Sequence, residues 1–139
     1  MPYPSKPVAL SLLQMIATTN RLMAIDSGGN FASGLINDAC MGAACSVGVG
    51  SPRPACDIIA CKYLAGQPFN DLPYNFYVAN GRVSAADPCG LSAPAGKYVA
   101  CCKRNALGSP SAPYSNWGYT VDFNGVVVPR NGAPAPPPS

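Results

Sequence analysis

A chain of 139 residues with nine basic and six acidic side chains has the length of one domain, and its net charge of +3 is too scattered for the clustered basic stripe that neutralises nucleic-acid phosphates. It contains no histidine and no glutamate, which excludes the hydrolases that use an imidazole base and the zinc proteases that use His ligands. Fourteen glycines and sixteen prolines put much of the backbone into turns and loops, where ordering is entropically costly, and seven cysteines are available to offset that cost by cross-linking.

The first element is a helix over 6–27. Val8, Leu12, Leu13, Met15, Ile16, Leu22 and Met23 recur at steps of three and four, with Ser11, Gln14, Thr18 and Arg21 on the opposite stripe. Ser5 is placed to cap its start, Pro7 falls in the first turn, and Gly28-Gly29 supplies the residue able to take positive φ at its end. Such a helix is expected to bury one face in the core. Part of that face, Val8, Leu12, Met15 and Leu22, is expected to pack against identical or related subunits. Gln14, Thr18, Thr19, Asn20 and Arg21 interrupt the apolar run, which reads as neither a membrane span nor a cleavable leader, so the chain reads as a mature or shortened form.

Residues 30–66 read as loop and short helices. "NFASGLINDAC" and "CDIIACKYLAG" each predict two to three helical turns, the second from Asp57 to Gly66, joined by a Pro/Gly linker at "GVGSPR". Cys40, Cys45, Cys56 and Cys61 form two C-x4-C pairs, a spacing shared by zinc knuckles and by disulfide frameworks. Cys89, Cys101 and Cys102 would be left over from a zinc site, so disulfides are the favoured reading, without metal or cofactor. Adjacent Cys101 and Cys102 point to opposite faces of a strand and are expected to reach different partners. Seven sulfurs make at most three bridges and leave one thiol, with connectivity open; Cys45 is expected to join Cys56 or Cys61. No C-x-x-C redox motif occurs.

From residue 72 the period changes to two. "LPYNFYVANGRVSA", "GKYVACCKR" and "GYTVDFNGVVVPR" predict an antiparallel sheet over 72–128, with turn dipeptides at Asn80-Gly81 and Asn124-Gly125. Tyr114, Trp117 and Tyr119 are candidate contacts for a carbohydrate or protein ligand. The tail 129–139 is polyproline-like and is expected to be solvated. The aspartates Asp26, Asp38, Asp57, Asp71, Asp87 and Asp122 are scattered singly, so no paired-carboxylate chemistry is indicated and no enzyme is expected; Asp57 and Asp122 would be the first to test. The sum is an α+β fold, one domain over 1–128, with a long N-terminal helix packed on a small, disulfide-stabilised antiparallel meander.

This organisation resembles the globular head of a type IV pilin lacking the apolar half of its long helix. In "IATTNRLMAIDSGGNFASGL", Arg21, Leu22, Met23 and Gly28 are similar to the helix end of PilV-like minor pilins. In "ACDIIACKYLAGQPFNDLP", Cys56, Ala60, Tyr63, Leu64, Leu72 and Pro73 resemble their cysteine-opened short helix and the Leu-Pro before the first strand. The resemblance implies a non-enzymatic subunit of a pilus or secretion pseudopilus, acting in assembly or at the tip and in adhesion at the cell surface. Its implied partners are other pilin subunits and, through the missing helix alone, the inner membrane. The alternative is a secreted disulfide-rich effector, inhibitor or lectin-like binder.

Overall fold

The structure is a computed structural model, described over residues 5–46, 53–66, 69, 72–81, 88–91, 97–105 and 113–136, with the side chains of 5–7 and 113–115 outside that description. Helix α1 (Ser5–Asp26) is followed by β1 (Ala32–Ile36), a 3-10 turn (Asp38–Gly42), β2 (Arg53–Pro54), the short helix α2 (Asp57–Ala60), β3 (Tyr74–Val78), β4 (Ala100–Asn105), β5 (Pro113–Val121) and β6 (Val127–Arg130). One six-stranded sheet runs in the order β2-β1-β3-β4-β5-β6. Every neighbouring pair is antiparallel except β1 and β2, so the sheet is mixed.

The long helix stops where its sequence says it should. Gly28 takes φ +70°, and the Gly29 N–H donates to Ala24 O at 2.7 Å, the closing bond of a Schellman end in which a glycine tolerates the left-handed turn. One side of α1, including Leu10, Leu13, Ile16, Ala17 and Met23, is buried against the sheet. The sheet answers with alternate residues: Phe76 and Val78 of β3, Ala100 and Cys102 of β4, Tyr119 and Val121 of β5. Full burial of each large apolar side chain contributes about 1.5–3 kcal/mol. The intervening residues face the other way, where Cys101 joins Ala79, Cys89, Leu91 and Tyr98 in a second, smaller cluster. The period of two therefore separates the adjacent cysteines, one to each face.

β5 runs close to β4 at Gly118, where an added Cβ would collide with the Cys102 carbonyl oxygen, so only glycine fits opposite this strand. The outermost strands are β2 and β6, and each contains a proline, Pro54 and Pro129.

Several expectations need correction. The stretch "NFASGLINDAC" is not helical: Ala32–Ile36 is strand β1, followed by a 3-10 turn whose Asn37 side chain accepts from Ala39 N–H. Pairing in register with β3 (Gly34↔Val78, Ile36↔Phe76) and with β2 (Ala32↔Arg53) outweighs a weak local helical pattern. The sheet consequently begins at residue 32 rather than 72 and is not purely antiparallel. Helix α2 ends at Ala60, short of Gly66, and Lys62 turns the chain with φ +69°. The start of the expected tail also belongs to the fold, since β6 reaches Arg130, Ala133 packs on the core and the Tyr119 hydroxyl donates to Pro134 O at 2.6 Å.

Candidate functional site

Among the described residues, the outward side of α1 carries apolar side chains that the core leaves exposed. Val8, Met15 and Leu22, at steps of seven, are 52%, 49% and 50% exposed, and Ile25 is 75% exposed. Exposed Ser11 and Thr18 fall between them, so the positions 8, 11, 15, 18, 22 and 25 alternate by three and four. That spacing averages 3.5 residues, the seam along which one helix receives another, and its small members allow close approach. Of the residues expected to face subunits, Leu12 instead lies in the core, four positions and a small rotation from Val8. Ile25 was not among them; the step of three from Leu22 is the signal that finds it.

Two walls flank this seam. On one side the β5–β6 turn leans on the helix, with Gln14 Nε2 donating to Gly125 O at 3.4 Å and Arg21 Nη1 to Phe123 O. On the other side Tyr63 and Leu64 stand beside Ser11, Met15 and Thr18, enclosing an open trough of about 540 Å³. The Tyr63 hydroxyl donates to Asp26 Oδ2 at 2.8 Å, and that hydrogen bond, more than burial, raises the phenol above its ordinary value. Stretch Val8–Asp26 is long and apolar enough to cross a membrane by composition, but 56% of its most apolar window is buried inside the fold.

Beneath the C-terminal end of α1 lies a buried ion pair. Arg53 Nε meets Asp57 Oδ2 at 3.0 Å, both side chains being almost fully enclosed. Arg53 Nη1 also donates to Ser27 Oγ, and Nη2 to Cys61 Sγ at 3.2 Å; Asp57 accepts the Ser46 N–H at 3.1 Å and the Ser46 hydroxyl. Every charged edge of the pair is thus used to hold β2, α2 and the end of α1 together, the condition under which a buried ion pair is tolerated.

The cysteines form three bridges, Cys40–Cys56, Cys45–Cys61 and Cys89–Cys101. Each C-x4-C pair is cross-linked to the other, so Cys45 takes Cys61, one of the partners expected. Cys102 is a buried free thiol, which corrects the expectation that both adjacent cysteines find partners. Burial pushes this thiol well above its ordinary value, so it stays protonated and inert.

Two of the three candidate contact aromatics pack within the fold. Tyr119 is buried, and Trp117 is half-buried with its ring edge-on to Tyr74 and Tyr119 at 6.2 and 6.1 Å. The Tyr114 side chain lies outside the described residues, as do Asp71 and Asp87. The two aspartates first in line for chemistry are occupied as well, Asp57 by Arg53 and Ser46, and Asp122 by the N–H groups of Asn124 and Val126.

These features define a class: an α+β domain stabilised by three disulfides, a bond type that belongs to oxidising surroundings outside the cytoplasm. The chain matches no protein-family model, no curated protein and no solved structure.

Proposed function

We propose that this chain is the globular head of a minor pilin or pseudopilin, a non-enzymatic filament subunit at the cell surface with a part in assembly and adhesion. The observation that carries the reading is the half-exposed seam of Val8, Met15, Leu22 and Ile25 on a helix whose other side is core. A helix shared in this way holds its own sheet with one face and offers neighbouring helices the other. In filaments of this kind the same helix continues towards the inner membrane through an apolar segment. The disulfide-bridged segments around Cys45 and Cys61 then belong to the outward surface, where cross-links resist unfolding.

Two measurements test this. The coding sequence ahead of Pro2 should specify a glycine, then a phenylalanine with a glutamate four positions after it, opening an apolar run; an ordinary cleaved leader there favours the freestanding secreted binder. In the full-length protein, Met15→Lys with Leu22→Glu should leave the unfolding free energy of the head within about 0.5 kcal/mol, because both sites are surface positions. The same pair should remove the subunit from sheared filaments. Unaltered incorporation would end the assignment of this face.

A further inference from the structure

We propose that the Cys45–Cys61 bridge is a thiol–disulfide exchange site, taking small thiols or a protein dithiol by attack at Cys45. The three bridges differ in access. Cys89 and Cys101 are both buried, and Cys40 is fully buried with Cys56 half-buried, whereas Cys61 is half-buried like Cys56 but its partner Cys45 is exposed. Access to one sulfur and stabilisation of the other as a leaving thiolate are the two conditions for rapid exchange. The second is met by Arg53, whose Nη2 donates to Cys61 Sγ at 3.2 Å. Asp57 uses the Nε edge of the same guanidinium, and its own charge is shared with the Ser46 N–H and hydroxyl, so the Nη2 edge remains directed at sulfur.

The step balances as an ordinary exchange. An incoming thiolate attacks Cys45 Sγ, a new S–S bond forms there, and the Cys45–Cys61 bond breaks with its electron pair on Cys61 Sγ facing Arg53. The second thiolate of the dithiol then attacks its own sulfur in the mixed disulfide and releases Cys45. The protein gains two electrons and two protons, and the dithiol becomes a disulfide. Cys40–Cys56 still anchors the loop and Ser46 stays hydrogen-bonded to Asp57, so opening frees Cys45 without unfolding the domain. With a monothiol, or a partner that stalls, the chain remains covalently attached through Cys45. The site is independent of which partner the α1 seam takes.

The test uses the whole folded chain at neutral pH with non-denaturing dithiothreitol, quenched by N-ethylmaleimide and mapped by peptide mass spectrometry. Cys45 and Cys61 should be labelled at least about tenfold faster than the other four bridged cysteines, with the circular dichroism unchanged. Reduced glutathione added to the closed form should leave its adduct on Cys45. Equal rates for all three bridges, earlier opening of either other bridge, or an adduct on Cys61 would overturn the proposal. Arg53→Gln with Asp57→Asn keeps a neutral hydrogen-bonding pair and should slow opening about tenfold by withdrawing the charge beside the leaving sulfur; an unchanged rate overturns the role of Arg53. Should that pair not fold, the adduct position on the native chain decides.

Discussion

Asn20 sits on the core side of α1, wholly buried, and binds three strands' worth of backbone. Its Nδ2 donates to Ala79 O at 3.0 Å and Val99 O at 2.9 Å, with Ala32 O at 3.4 Å, while its Oδ1 accepts the Ala32 N–H at 2.9 Å. These groups lie in β1 and at the ends of β3 and β4, so one amide fastens the helix to three neighbouring strands. Asn20→Ala takes their side-chain partner from the buried Ala32 N–H and Ala79 O, each loss costing about 1–3 kcal/mol, and should lower the unfolding free energy by roughly 3 kcal/mol in urea titration. A cost under about 1 kcal/mol would show that water replaces the amide. In the sequence Asn20 looks like an interruption of an apolar run. Its position on the buried period, four after Ile16 and three before Met23, is the clue that a polar side chain there has backbone to satisfy.

The elements readable in the sequence are those whose signal is local. Helix α1 carries its period and its glycine stop, and β5 and β6 carry alternation around Asn124-Gly125, where Gly125 takes φ +81° and Asp122 holds the turn. Strands β1 and β2 carry no such signal. They exist because residue 32 meets residue 53 and residue 34 meets residue 78, pairings that no window of neighbouring residues contains. The seam on α1 was half legible, since a wheel separates polar from apolar but does not say which apolar residues the sheet will cover. The stretch after β6 is similar, because Ala133 joins the fold by packing on the core and Pro134 by accepting the Tyr119 hydroxyl, contacts with residues distant in sequence. Removing residues from Ala133 onward deprives that hydroxyl of its acceptor and uncovers core. The truncated chain should lose about 1–2 kcal/mol in urea unfolding with an unchanged m-value; equal stability would mean that the docked tail is ornamental.

For the molecule as a whole, pH dependence follows from its free thiol. Burial holds Cys102 above its ordinary value in the folded state, and the ordinary value, about 8.5, applies once the chain unfolds. The stabilisation is therefore fully present below that pH and is lost as pH rises above it, by up to about 1.4 kcal/mol per unit, because the unfolded chain releases a proton that the folded one keeps. Tyr119, also raised by burial, acts in the same direction at higher pH. Unfolding measured between pH 8.5 and 10 should show this decline, and Cys102→Ala should flatten it. An identical slope in the variant would assign the decline elsewhere.

The two outermost strands of the sheet end the molecule in a particular way. A visiting strand recruits itself by exchanging amide hydrogens with an open flank, and Pro54 and Pro129 each withhold one. Copies crowded side by side are thereby discouraged from zipping into ribbons. Concentrated preparations should stay clear of thioflavin-positive fibres.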